Sequence, residues 1–185
     1  MKDEILEELE ERLKKTLLAF KKDLSKVRTG LASPSLFEDV KVNYYNQMMP
    51  VNQVASINVV DPRTITIQPW DASLVPEIEK AIQKSDLGVN PISDGRMLRI
   101  VFPKLTEERR KELLRLTGKM LENAKVAMRN IRRESVERLR ELEKAKQISK
   151  DDLFRREGEV QKLLDRYIDL CEKAHKEKEK EILTP

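Results

Sequence analysis

Five basic residues with helical spacing are the strongest chemical signal in this sequence. They are Lys125, Arg129, Arg132, Arg133 and Arg140. At 100° per residue they share a sector about 100° wide, which we predict to lie roughly opposite the apolar stripe of the same segment. Guanidinium groups offer forked donors that suit phosphate, so the sector favours contact with folded RNA by shape. A solvated helix face with i, i+4 ion pairs explains the same charges. Charge alone does not distinguish such a face from an RNA-binding surface.

Residues suited to catalysis or metal binding are scarce. His175 is the only histidine and Cys171 the only cysteine, and they are four positions apart. That spacing could supply two metal ligands on a helix, but no further Cys or His completes a site. We interpret Cys171 as a core residue and His175 as a surface residue near a helix end. The sequence contains no P-loop and no G-x-G-x-x-G motif, so we predict no enzymatic activity, no cofactor and no metal.

The high content of charged residues indicates what kind of secondary structure contains this basic sector. Of the 185 residues, 37 are basic and 33 acidic, which leaves a net charge of +4. The charged fraction of 38% exceeds the ~25% of ordinary globular domains and favours long helices with many ion pairs. A single cysteine fits a reducing compartment, and no apolar run approaches the ~18 residues of a membrane helix. We therefore expect a cytoplasmic location.

The first part of the chain has the pattern of an amphipathic helix. Apolar residues recur at spacings of three and four from Leu6 to Val27, which predicts one buried stripe. We expect this helix to end at Gly30, because glycine is a natural C-terminal cap and Pro34 prevents continuation.

The last part of the chain predicts two more helices. Thr106 is the expected N-cap of a helix of about 40 residues, and Ser149, followed by Asp152, resembles a capping box that starts the next. The expected stripe of the longer helix is Leu113, Leu116, Met120, Ala124, Ala127 and Ile131, with Leu139 and Leu142 near its end. None of the three stripes could be buried alone, so we predict a long three-helix bundle.

The middle of the chain differs from both ends in its composition and in the spacing of its apolar residues. Seven of the eight prolines and the only Trp lie between Leu31 and Lys104. Alternating patterns predict strands at 40–44, 54–60, 64–67 and 96–102, with a helix at 72–84. We therefore predict an α+β protein in which a small β/α/β domain, residues 31–104, is inserted into a bundle formed by residues 1–30 and 105–185.

Two chain crossings would join these domains, and both contain proline. We predict a paired hinge there, although a fixed interface is the alternative. The predicted hinge residues are Gly30, Leu31, Ala32, Ser33, Pro34, Pro103, Lys104 and Leu105.

Several motifs together resemble the bacterial ribosome recycling factor family. The first is Val27-Arg28-Thr29-Gly30-Leu31-Ala32-Ser33-Pro34-Ser35. The others, in chain order, lie at 84–91, 105–111, 126–134, 148–152 and 160–163. They span essentially the whole chain. Two departures are Leu31, where the family commonly has a basic residue, and Asn46, where it usually has glycine.

The resemblance implies an L-shaped, monomeric translation factor with an antiparallel three-helix bundle and a smaller domain on two hinge strands. It implies binding to the post-termination ribosome on large-subunit 23S rRNA, followed by subunit separation with elongation factor G and GTP. The family's rRNA contacts fall on Arg28, Arg110, Arg129, Arg132 and Arg133. With Lys125 of the basic sector, the predicted rRNA-binding residues are Arg28, Arg110, Lys125, Arg129, Arg132 and Arg133.

Two other classes of function stay open at this point. A coiled-coil adaptor would expose an apolar groove or oligomerise through its stripes, with the basic sector merely solvated. An enzyme with an unrecognised site would keep its activity after loss of the arginines.

Overall fold

The computed structural model describes residues 3–185, which form two compact units. One contains the chain up to Arg28 together with Thr106–Thr184, and the other contains Thr29–Leu105. The first unit is helical and the second contains a small sheet, which confirms the predicted α+β class. Within residues 3–185, no helix combines the length and apolar composition needed to span a bilayer.

The helices and strands are numbered in chain order. They are α1 (Glu4–Ser25), β1 (Lys41–Tyr44), β2 (Gln47–Pro50), α2 (Val51–Val54), β3 (Ala55–Asp61), β4 (Thr64–Pro69), α3 (Val75–Lys84), β5 (Ile92–Ser93), β6 (Leu98–Val101), α4 (Glu107–Lys144) and α5 (Lys150–Leu183).

Ion pairs between the helices of the first unit define their directions. Glu8 contacts Arg138 and Arg12 contacts Glu134, both at 2.5 Å, so α1 and α4 run antiparallel. α4 and α5 are joined by a short turn and also pack antiparallel, with Lys125 2.7 Å from Glu172. The three helices contact one another pairwise and enclose one apolar core, as the sequence predicted.

The helix starts agree with the sequence, whereas one helix end does not. The side chain of Thr106 accepts a hydrogen bond from the backbone N–H of Arg109 at 3.1 Å, which confirms the predicted cap. Ser149 does the same for Asp152 at 3.0 Å. The prediction that α1 ends at Gly30 was wrong, because the chain leaves the α-helix after Ser25.

The core stripe of α1 is confirmed, but that of α4 was partly wrong. Leu116 and Ala127 are exposed, and the polar Thr117 and Ser135 are buried instead. The hydroxyl of Thr117 donates to the carbonyl of Leu114 at 3.3 Å, which satisfies it inside the helix. The buried, apolar Met128 was also missing from the predicted stripe. The stripe predicted from Leu113 to Ile131 is therefore rotated by about 50° around the helix from the observed core face.

The second unit is built on a four-stranded antiparallel sheet in the order β3-β4-β6-β5. Ile65 and Ile67 of β4 face the same side as their partners Ile100 and Leu98 on β6. This apolar face belongs to the same core as the buried side chains of α3. The unit therefore has a core of its own.

A β-hairpin precedes this sheet; its first strand was predicted, whereas its second strand was not. β1 pairs with β2 through a two-residue turn in which Tyr45 and Asn46 have φ of 49° and 63°. Positive φ at both central residues is typical of the type I′ turn, and asparagine suits it. The segment that contains Met48 and Met49 is consequently an ordered strand.

Candidate nucleic-acid interface

Two grooves lie between α4 and α5, and Arg132 and Gln161 line both of them. The first groove, of about 310 Å³, is lined by Arg132, Val136, Arg140, Phe154, Glu157, Gly158 and Gln161. The second groove, of about 380 Å³, is lined by Arg129, Arg132, Arg133, Gln161, Leu164, Asp165 and Ile168. Four of the five residues of the basic sector therefore line these grooves.

Arg132 is held by a neutral partner. Its Nη1 donates to Oε1 of Gln161 at 2.8 Å, and Nε2 of Gln161 donates to Oδ1 of Asp165 at 2.9 Å. Among the described residues, no acidic side chain forms an ion pair with Arg132. The amide thus orients the guanidinium without cancelling its charge.

The position of Arg132 differs from the sequence prediction. Arg132 is half-buried beside α5, and its Nε is shielded from solvent without a hydrogen-bond partner. Lys125 has a side chain only 17% exposed and contacts Glu172 on α5. The prediction that the sector lies opposite the core was wrong for these two residues, because the core face of α4 is rotated towards them. Lys125 consequently has its charge paired within the bundle.

Arg129 and Arg133 are exposed on α4 next to Arg132. Nη1 of Arg129 lies 3.3 Å from Oε1 of Glu122 on the same helix, in a pair that is largely solvated. Surface pairs of this kind contribute about 0–1 kcal/mol, so a phosphate can compete for the guanidinium. No ion pair involves Arg133 in the part of the chain that the structure describes.

The other two predicted rRNA-binding residues lie elsewhere in the first unit. Arg110 is in the first turn of α4, 22 positions before Arg132, which corresponds to about 33 Å of helix. Arg28 is exposed beyond the end of α1, and the antiparallel run of α1 and α4 places it towards the start of α4. The structure therefore brings together Arg129, Arg132 and Arg133, and separates Arg110 and Arg28 from them.

Both predicted hinge segments contact the side chain of one arginine, which was not predicted from the sequence. Nη1 of the buried Arg63 donates to the carbonyl of Gly30 at 2.9 Å and lies 3.5 Å from that of Pro103. The backbone N–H of Ala32 donates to the carbonyl of Pro62 at 2.7 Å in the same turn. Both predicted crossings thus contact the β3–β4 turn within the second unit, and the hinge itself stays a prediction. No spacing in the sequence marks Arg63.

Cys171 and His175 both face the interior of the bundle. Sγ of Cys171 lies 4.0 Å from Sδ of Met128, and burial raises the pKa of this thiol to about 11, which confirms the core interpretation. The surface position expected for His175 was wrong, because the buried face of α5 continues past it to Ile182. Residues 3–185 contain no group of three or more His, Cys, Asp or Glu side chains arranged to hold a metal.

Comparison with known proteins places these features in a family. Residues 20–183 match the family of the ribosome recycling factor. The chain is 51% identical over 181 residues to the ribosome-recycling factor of Oleidesulfovibrio alaskensis, with 98% of each chain covered.

Two solved structures are also similar. The solution structure of a ribosome recycling factor is 42% identical, with a TM-score of 0.76 over 97% of this chain and 95% of that one. The second structure describes models of the T. thermophilus ribosome recycling factor and the E. coli elongation factor G bound to the E. coli post-termination complex. It is 42% identical, with a TM-score of 0.65 over 98% of each chain. On the family match and this extent of identity, the chain belongs to the ribosome recycling factor family.

Proposed function

We propose that this protein is a non-catalytic translation factor that binds the post-termination ribosome through α4 and α5. In this proposal the bundle contacts 23S rRNA of the large subunit, and elongation factor G and GTP then separate the subunits. The observation that carries it is the cluster of Arg129, Arg132 and Arg133 beside one groove, in which neither Arg132 nor Arg133 has an acidic partner among the described residues. The protein would act in the cytoplasm, as a monomer and without a cofactor.

The arrangement of charge suits an RNA backbone. Arg132 is oriented by Gln161, so less side-chain entropy is lost when it meets a phosphate. Arg129 and Arg133 flank it on a helix of 38 residues, which could follow phosphates over a long distance. Arg110, about 33 Å away on the same helix, would supply a second anchor.

The partners in this proposal come from the relatives. One similar structure describes a recycling factor and elongation factor G together on a post-termination complex. The present chain covers 98% of that factor at 42% identity, which supports transfer of the partner classes. The two-segment connection between the units would allow the GTPase to move one unit against the other.

Subunit separation is the decisive test. Post-termination ribosomes would be mixed with this protein, elongation factor G and GTP, and light scattering would follow the release of free subunits. We expect splitting only when all three components are present. Binding without splitting would overturn the recycling function, and the absence of binding at physiological ionic strength would overturn the whole proposal.

A coiled-coil adaptor is the less favoured function. Such an adaptor needs an unpartnered apolar stripe, whereas the core stripes of α1, α4 and α5 pack against one another. Sedimentation would separate the two functions, because the recycling factor should be monomeric and the adaptor should oligomerise through its stripes.

A further inference from the structure

We propose that the first groove, between Phe154 and the arginines of α4, holds one unstacked base of the bound RNA. This inference rests on the proposed function, because it assumes that RNA lies along α4. It adds a specific contact to that function: the ring of Phe154 stacks on the base, while Arg132 and Arg140 contact the neighbouring phosphates.

Phe154 is the most exposed of the large hydrophobic side chains among the described residues. It lies in the second turn of α5 with 82% of its surface accessible, although a phenylalanine usually buries most of its ring. Aromatic side chains beside a basic track are the usual platforms for bases of single-stranded RNA, because every base has a π face. Phe154 lines the groove together with Arg132 and Arg140, so the ring and the charges face the same space.

Gly158 provides room beside the ring. It is one turn after Phe154 on the same face of α5, and it too lines the groove. A glycine inside a helix destabilises it relative to alanine. A Cβ built on Gly158 meets no atom within 4 Å, so packing within the protein does not require a glycine here. The groove of about 310 Å³ falls at the lower end of the ~300–1,000 Å³ typical of small-ligand sites.

The charges of the groove favour a nucleotide over an apolar peptide side chain. Arg140 lies 3.0 Å from Glu157, but its side chain is 60% exposed, so the pair is weak and exchangeable. Arg132 also lines the second groove, which makes the two grooves neighbours along one track. If the RNA backbone lies on Arg129, Arg132 and Arg133, the next base along the RNA would therefore lie near Phe154. Glu157, which also lines the groove, disfavours a phosphate beside it, whereas an uncharged base is tolerated there.

Affinity for purified large subunits tests the contact. We expect Phe154→Ala to weaken binding roughly 5- to 100-fold, as for loss of one stacked base, and Phe154→Tyr to restore it. Gly158→Ala should weaken binding while it raises the unfolding temperature, which a merely structural glycine would not do. Leu18→Ala is the matched control, because Leu18 is an exposed apolar residue on α1, and it should leave affinity unchanged.

A fluorescence measurement identifies the occupant. Phe154→Trp would be made together with Trp70→Phe, so that one indole reports on the groove. Stacking by a base should quench its emission when large subunits are added. Affinity loss in Phe154→Ala without quenching would indicate a protein contact and overturn the inference.

The outcomes also separate this inference from the proposed function. If the unmodified protein binds large subunits and Phe154→Ala behaves like Leu18→Ala, only the base contact is wrong. If the unmodified protein does not bind at all, the proposed function fails first.

Discussion

The amide oxygen of Gln161 accepts a hydrogen bond from the guanidinium of Arg132 at 2.8 Å, across the gap between α5 and α4. A carboxylate at this position would hold the arginine equally well but would neutralise it. The nitrogen of the same amide donates to Asp165, an acid that lines the second groove with Arg132, so this acid is bonded to Gln161. Arg132 is therefore positioned and still available as a cation.

Gln161→Glu should weaken ribosome binding and cost up to about 1 kcal/mol of stability, because the new carboxylate cannot donate to Asp165 and is repelled by it. The introduced carboxylate can form an ion pair with Arg132, which removes about one cation from the interface. We expect affinity for large subunits to fall roughly tenfold, and the slope of log K against log salt to decrease by about one. Gln83→Glu makes the same change on an exposed position of α3 and should do neither. If both variants weakened binding equally, the net charge of the protein and not the Arg132–Gln161 contact would determine its affinity for the ribosome.

Arg132→Glu and Arg133→Glu should both weaken binding but differ in their effect on folding. Arg133 is exposed, so its replacement should change the free energy of unfolding by less than about 0.5 kcal/mol. Arg132 is half-buried and bonded to Gln161, so its replacement should cost about 1 kcal/mol.

Denaturant unfolding and equilibrium binding would be measured on the same variants. Arg96→Glu, in an exposed turn of the second unit, is the control for charge reversal. Unchanged ribosome binding by Arg133→Glu would contradict the proposal that the arginine cluster binds the ribosome.

The sequence predicts a buried helix face correctly where every buried residue is apolar. Leu9, Leu13 and Leu17 are apolar and buried, so spacing alone places α1 in the core. Thr117 is buried although it is polar, because its hydroxyl bonds to its own helix, and no pattern of hydrophobicity reveals that. Buried polar residues are one reason why the expected core of α4 was rotated, and the other is that the buried, apolar Met128 was not included in the stripe.

The candidate site shows the same limit. Charge and spacing identify Arg129, Arg132 and Arg133, because the three share one helix and their relative angles follow from its geometry. Gln161 and Phe154 come from another helix, and only the packing of α4 on α5 brings them to the arginines. Arg63 likewise acquires its contacts with Gly30 from the tertiary fold.

Gly30→Ala should destabilise the protein more than a second glycine replacement with the same backbone geometry. Gly30 has a φ of +73°, and an added Cβ would lie 2.7 Å from Nη1 of Arg63 and 2.9 Å from the carbonyl oxygen of Pro103. Gly88 has a φ of +65°, but a Cβ there meets nothing within 4 Å.

Strain from positive φ alone costs about 1 kcal/mol, so Gly88→Ala should lose that amount. Gly30→Ala should lose about 2–3 kcal/mol, because the clash adds to the strain. Denaturant unfolding of the full chain measures both values. Equal losses would mean that the Arg63 contacts do not constrain this segment.

Cys171 should be unreactive in the folded protein and should make stability depend on alkaline pH. Desolvation is the main cause that raises the pKa of its thiol from 9.0 to about 11, while Lys21 and Lys125 oppose the shift. The thiolate is therefore disfavoured in the folded state. Stability from the protonated thiol is fully present below about pH 9 and is lost as the pH rises towards 11.

Two measurements check this behaviour. Iodoacetamide at pH 8 should alkylate Cys171 only as fast as the bundle opens, since the thiolate is the nucleophile and the folded protein shields it. Between pH 8 and pH 10.5, the unmodified protein should lose more stability than Cys171→Ala, which lacks the titrating group but keeps the lysines and acids around it. Identical losses would show that the thiol titrates alike in the folded and unfolded chains, and rapid alkylation at pH 8 would contradict its burial against Met128.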